Sequence, residues 1–275
     1  MLKTGGPSAA LNPAAVYNAA ADAFDAEPLA FWARHGARSA ARARLKNGDC
    51  VLDVGCGSGA SALPAAEMVG RNGRVLGVDL AENLLALARA KAEAKSLKNV
   101  EFQCADMTDL NAPDAGFDVV VSVFSIFFVS NMERQVDRLW RKLRPGGRLV
   151  ITVWGEGSFA PAAAIFSEEV RRVRPDIPHP KRPWERLTTP EGLVELFTDA
   201  GTRAPDIFPA PDFHPIDAPE DFWTIALGSG LRWEIEQLSL DERNEVKDRV
   251  VDRIARENIK QIDLSALIGV CEKPF

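Results

Sequence analysis

The stretch VLDVGCGSG at residues 51–59 constrains the fold more than any other part of the chain. Its opening, Val51, Leu52, Asp53 and Val54, is apolar but too short for a helix. Gly55, Gly57 and Gly59, at alternate positions, suit a turn with left-handed backbone and would weaken any helix. From Ala60 onward, ASALPAAEMVG regains helical apolar spacing. The order is therefore strand, glycine turn, helix. A helix that opens on such a turn presents unpaired backbone N–H groups to whatever sits above it, which is the opening unit of a nucleotide-type binding fold.

Strand and helix signals alternate through the next hundred residues: strands at 74–79, 100–104, 118–123 and 148–154, helices at 82–95 and 131–143. This alternation predicts parallel βαβ units, and the apolar runs VVVSV and LVITV fit strands covered by helices on both faces, in a doubly wound α/β domain. Arg144, Pro145, Gly146 and Gly147 read as the stop of the helix before the last of these strands. Upstream, residues 1–12 read as a tail and 13–44 as one or two alanine-rich helices forming a cap. Downstream, helices are expected at 159–173 and 191–200, a proline-rich connection at 174–186, a strand at 207–216 whose prolines favour an interrupted or edge position, helices at 218–227 and 240–259, and an apolar strand at 264–271. The segment 218–259 is then an excursion between two paired strands of one sheet. The expected domain division is 1–44, tail and cap, and 45–275, with a core at 45–155, covering helices within 156–260 and a last strand at about 263–272.

Composition excludes several classes. The chain has 275 residues, 46% of them hydrophobic, enough for a substantial core. Its 33 basic against 39 acidic residues, a net charge of -6, argue against nucleic acid as a partner. No apolar run approaches the roughly 20 residues of a membrane span, and the first fifteen residues lack the apolar centre of a signal peptide. Cys50, Cys56, Cys104 and Cys271 form no CxxC pair, which fits free thiols in a reducing cytoplasm. No metal-ligand spacing stands out. The oligomeric state is open between monomer and homodimer.

Gly55-x-Gly57-x-x-Ala60 also satisfies the dinucleotide pattern, so an NAD-dependent oxidoreductase is one reading. Charge favours another. Asp53 precedes the first glycine, Asp79 ends the second strand and Asp106 follows the third, so three carboxylates gather at the carboxyl end of the sheet. A pyrophosphate would be repelled there, whereas a cationic, hydroxyl-rich ligand such as S-adenosylmethionine would be attracted.

VLDVGCGSG, GVDLAENLLALARAKA, the CADM ending the third strand, FDVVVSVFSIFFV and LRPGGRLVITVW, in this order, resemble the class I S-adenosylmethionine-dependent methyltransferases, in particular the small-molecule branch that includes the ubiquinone and menaquinone methyltransferases. The likeness is specific over residues 45–155, loose over 13–44, and architectural beyond. It implies a Rossmann-like, mostly parallel sheet with an antiparallel C-terminal strand, a helical cap, and a helical insertion before the last strand. It also implies methyl transfer to a small, aromatic or apolar metabolite at oxygen, nitrogen or carbon; a non-catalytic cofactor-binding protein of the same fold is the further alternative. By resemblance Asp53 takes the methionine ammonium, Gly55, Gly57 and Gly59 admit the cofactor, and Asp79, with Leu80 beside it, accepts the ribose hydroxyls. Asp106 and the Met107 N–H receive adenine, and Val123 and Phe124 line the methionine moiety. For Asp106 a turn or helix cap is the competing assignment.

Sulfonium chemistry needs proximity more than a base. If a base is used, His35 in FWARHGAR is the histidine best placed for it, its alternative being an ordinary residue near a helix end; His179 and His214, each beside proline, read as loop residues. Tyr17, the sole tyrosine, either closes over the methionine end or packs within the cap. The acceptor pocket is expected to be apolar, with Phe128, Trp154, Trp184 and Trp223 as candidate walls and Trp233 as a further covering residue.

Overall fold

The structure is a computed structural model, and residues 12–177 and 184–275 are described. The cap comprises α1 (Pro13–Ala20), a 3-10 turn at Glu27–Leu29 and α2 (Phe31–Arg42). α1 begins where Asn12 accepts a hydrogen bond from the Ala15 N–H and Pro13 occupies the first turn, where its missing donor costs nothing. The core follows with β1 (Cys50–Val54), α3 (Ala62–Val69), β2 (Arg74–Asp79), α4 (Glu82–Ala94), β3 (Val100–Cys104), β4 (Phe117–Val123), α5 (Met132–Lys142) and β5 (Leu143–Trp154). Then come α6 (Ala162–Val173), α7 (Pro190–Asp199), β6 (Asp206–Ala210), β7 (Phe213–Pro215), α8 (Asp221–Leu227), α9 (Arg232–Ile235), α10 (Leu240–Arg256), β8 (Gln261–Asp263) and β9 (Ala266–Glu272).

Seven strands form one sheet in the order β3-β2-β1-β4-β5-β9-β6. β1 to β5 pair in parallel, and β9 runs antiparallel to both β5 and β6, as the resemblance implies. All five residues of β1 are buried, the signature of a strand covered on both faces. The chain order reverses beside β1, whose neighbours are β2 and β4, so the crevice at the carboxyl ends of these strands is where a doubly wound sheet binds ligands.

Several boundaries differ from expectation. Arg144 to Gly147 do not end the helix in a free turn; they form a bulge within β5, because β4 pairs through Phe117 with Leu143 and only resumes at Val119 with Arg148. The strand expected at 207–216 is interrupted at Pro211 and Asp212 and starts at the sheet edge, as its prolines imply: β6 joins the main sheet edge, whereas β7 leaves to pair with β8. The helix expected from 218 starts at Asp221, the one expected to 259 ends at Arg256, and the short α9 was not foreseen. α10 opens on a capping box in which Ser239 and Glu242 satisfy each other's backbone N–H groups. The excursion nonetheless lies between the paired strands β6 and β9. His179 lies outside the described residues. Among the described residues no helix is long and apolar enough to cross a membrane.

Candidate active site

The glycine turn is shaped by backbone that only glycine adopts freely. Gly55 has φ +72°, and a Cβ there would lie 2.3 Å from the Ser125 Cβ. Ser125 itself is fixed by donating to the Val54 carbonyl at 2.7 Å and by its hydroxyl contact with Ser122 at 2.7 Å. The ends of β1 and β4 are thus clamped together beneath the turn. Gly59 serves packing: a Cβ there would meet Leu63 at 3.0 Å and Ala88 at 3.4 Å, and Gly59 lines no cavity.

A cavity of about 300 Å³ opens above the turn. It brings together Tyr17, Gly55, Gly57, Asp79, Leu80 and Asp106, and also Met107, Val123, Phe124 and Phe128. Asp79 is half-buried and its carboxylate accepts from the Gly57 N–H and the Ala81 N–H, both at 2.8 Å. Burial pushes its pKa up, against these two donors, which favour the charged form. Asp53 lies beneath the lining, 1% exposed. One of its oxygens accepts from the Ser61 hydroxyl at 2.6 Å, while Oδ1 is buried without a partner. Desolvation, with the nearby Asp79 charge adding to it, raises its pKa from 3.8 to about 7. A buried carboxylate with an unsatisfied oxygen under a ligand cavity is suited to an incoming cation.

Asp106 accepts from the Thr108 N–H at 2.7 Å and its hydroxyl at 2.8 Å through one oxygen, leaving Oδ2 and the Met107 N–H without partners among the described residues. The turn role and the ligand role weighed for Asp106 are therefore compatible, one oxygen for each.

The cavity also has aromatic walls. Phe124 sits in left-handed backbone (φ +51°), a strain on the order of 1–3 kcal/mol, and stacks on Trp154 with centroids 3.8 Å apart. Tyr17 meets Phe128 edge-on at 5.5 Å, and burial, aided by the Asp79 charge, moves its pKa far above the ordinary range, so its hydroxyl stays protonated. A second, small hollow of about 20 Å³ shares Tyr17, Trp32 and Phe128 with the first and adds Trp154, Phe159 and Trp184.

Besides Gly59 and Asp53, two expected site residues line neither cavity. Trp223 lines neither cavity; it is a core residue, 6% exposed, packed on Phe166 at 6.3 Å. His35 is not brought to either cavity. It is fully buried, with its ring edge-on to Phe124 at 5.2 Å and near Trp154 at 6.1 Å. Its Nε2 is 3.3 Å from Asp212 at an angle that makes no hydrogen bond, and burial lowers its pKa to about 4. His214 accepts from Arg34 through Nδ1 at 3.0 Å, beside Asp212. Trp233 packs against the core and lines neither cavity.

Conversely, Phe24 and Trp32, which stack at 5.4 Å, line the cavity without having been singled out, as do Cys56, Ser58 and Ser61. Aromatic residues in an alanine-rich cap were the available signal for the first two. For the three others, only their place in the glycine turn pointed to the ligand.

The methyltransferase-domain family profile matches residues 51–147. The chain is 29% identical over 193 residues to aklanonic acid methyltransferase DauC of a Streptomyces species, covering 70% of this chain and 85% of that one. It is 30% identical over 169 residues to demethylmenaquinone methyltransferase of Listeria welshimeri, covering 58% and 72%. A S-adenosylmethionine-dependent methyltransferase of Aquifex aeolicus shares the fold, with a TM-score of 0.53 at 22% identity over 72% of this chain and 92% of that one. The hydride-transfer alternative gains nothing from these matches. With five parallel strands, an antiparallel last hairpin and a glycine turn flanked by carboxylates, the chain belongs to the class I S-adenosylmethionine-dependent methyltransferases.

Proposed function

We propose that the chain methylates a small, apolar, aromatic acceptor in the cytoplasm, at an oxygen, nitrogen or carbon atom, with residues 1–44 as its cap and 45–275 as its methyltransferase domain. The observation that carries this reading is the lining of the cavity, which joins the carboxylates of Asp79 and Asp106 to the aromatic rings of Tyr17, Trp32, Phe124 and Phe128. When bound, S-adenosylmethionine supplies a methyl group already activated on a sulfonium. Asp79 accepts the ribose hydroxyls through lone pairs that the two backbone donors leave free. Asp106 Oδ2 and the Met107 N–H receive the adenine edge. Asp53 favours the ammonium from beneath, and its own ionisation is favoured in return.

The small aromatic hollow presents no charged side chain. Tyr17 is a donor there, not a base, because its proton is held tightly. The chain therefore contributes orientation and exclusion of water. Acceptors of the relatives support the class: their names specify aklanonic acid and demethylmenaquinone. Free, buried Cys50, Cys56 and Cys271 support a reducing compartment.

Calorimetric titration with S-adenosylhomocysteine tests the cofactor half: binding by the wild type, and a loss of about 10- to 100-fold in Asp79→Ala, as expected for charge-assisted hydrogen bonds. A folded wild-type protein that binds no S-adenosylhomocysteine would sink it. Release of S-adenosylhomocysteine with a panel of hydroxynaphthoquinones and polycyclic phenols against hydrophilic amines tests the acceptor half, which fails if only the hydrophilic set turns over.

A further inference from the structure

We propose that Gln135 and Arg138, on α5 and outside the cavity lining, are positioning residues that hold the loop at 106–108 as an edge that reads adenine, an inference that rests on the cofactor reading above. They lie three residues apart on one helix and so present to the same neighbour. Gln135 Nε2 donates to the Met107 carbonyl at 2.7 Å, and Arg138 Nη1 donates to the Thr108 carbonyl at 2.6 Å. The turn is closed by the Asp109 N–H donating to the Asp106 carbonyl at 3.1 Å.

These bonds fix three successive peptide planes, and the one between 108 and 109, held through the Thr108 carbonyl by Arg138, carries the Asp109 N–H that bonds the Asp106 carbonyl. The plane between 106 and 107, held through the Asp106 carbonyl, aims the Met107 N–H. The plane between 107 and 108, held through the Met107 carbonyl by Gln135, aims the Thr108 N–H at Asp106 Oδ1 and so orients the carboxylate. What remains unpartnered among the described residues is a donor, the Met107 N–H, beside an acceptor, Asp106 Oδ2. That pair complements adenine, which offers N1 as acceptor and its amino group as donor. A 6-oxopurine offers the reverse at both positions and is rejected by a site built to bond the amino form.

The environment of Gln135 supports a purpose beyond packing. The residue is 1% exposed, and because a carbonyl only accepts, its amide nitrogen must face Met107; the amide oxygen is then buried without a partner. A methionine would fill the same space without that unsatisfied oxygen. The amide is useful for the carbonyl that it holds.

The test compares affinities for S-adenosylhomocysteine and its 6-oxo analogue S-inosylhomocysteine in the wild type, Gln135→Met and Arg138→Met, with thermal unfolding of each. The expected result is a wild-type preference for the adenine ligand, and in both variants about a tenfold loss of S-adenosylhomocysteine affinity with a narrowed ratio between the two ligands. A merely structural role would lower the melting temperature and leave that ratio unchanged, and an unchanged ratio in folded variants overturns the inference. Should Gln135→Met fail to fold, Arg138→Met, whose side chain is only partly buried, decides by the same ratio. A wild type that binds neither ligand would instead overturn the cofactor reading itself.

Discussion

Burial holds the Asp53 carboxyl at about 7 against an ordinary 3.8, so the folded protein favours its neutral form. The stability that Asp53 contributes is therefore fully present below about 3.8 and is lost as pH rises through about 7. Asp53→Asn retains an oxygen for the Ser61 hydroxyl and carries no charge. In thermal unfolding without cofactor, the melting temperature of this variant should gain on the wild type as pH increases from 4 to 8, while its affinity for S-adenosylhomocysteine falls. A constant gap between the two curves would contradict the burial cost. The acid itself was legible in VLDVGCGSG, since a carboxylate at the end of a buried strand demands a reason. Its depth, one layer below the ligand, was not: strand alternation says which face a side chain takes but not how far the neighbouring helix covers it. Phe124 was legible as a wall, whereas its left-handed backbone and its stack on Trp154 come from strands 29 positions apart in their pairing register, β4 and β5.

At the scale of elements, α2 determines how closely the cap approaches the glycine turn. Gly36 makes this contact: a Cβ there would stand 2.2 Å from the Ala60 carbonyl oxygen and 2.7 Å from the Ser61 nitrogen, both backbone. Gly36→Ala should cost about 1–3 kcal/mol through overpacking, despite the roughly 1 kcal/mol by which alanine favours a helix interior. Because the displaced helix carries Trp32 and leans on Ser61, cofactor affinity should fall with stability; unfolding and calorimetry on this variant check both, and a more stable protein would refute the contact. The two cap helices were readable from their apolar spacing and from Pro13. A glycine inside a helix says that something comes close, but only the fold says that it is the turn after β1. The interruption at Pro211 was legible from the prolines of 207–216, whereas only the fold shows what meets the break, Arg34 and Arg38 of α2, at 3.0 and 3.4 Å from Asp212.

Across the whole molecule, those half-exposed arginines join the buried Asp212, His35 and His214 in a polar cluster that ties the N-terminal cap to the β7–β8 ribbon, nearly two hundred residues away in sequence. His35 sits at its centre with a pKa lowered from 6.5 to about 4, chiefly by burial, with Arg38 and Arg34 adding to the shift and Asp212 opposing it. A depressed histidine pKa contributes stability that is present above about 6.5 and is lost as pH falls through about 4. The wild type should therefore lose more stability between pH 7 and 4.5 than His35→Gln does, as read from urea midpoints at each pH; parallel losses would assign the acid sensitivity to other groups. The cluster also accounts for His35 as a residue of the cap's foundation, away from the reacting atoms.

By itself, the sequence determined the order of elements over residues 45–155, the glycine turn, the acids at the ends of three strands and hence the cofactor, because these depend on local spacing and on charge sign, which a chain carries before it folds. The tertiary structure alone decided which tryptophans reach a cavity, that His35 is sealed behind Phe124 and Trp154, and that α5 grips the loop after β3. Those outcomes depend on which distant surfaces meet, and close packing between elements far apart in sequence leaves no periodic trace along it. For Asp53, both were needed: the sequence supplied the carboxylate, and burial against α3 made it a group whose charge awaits a cation.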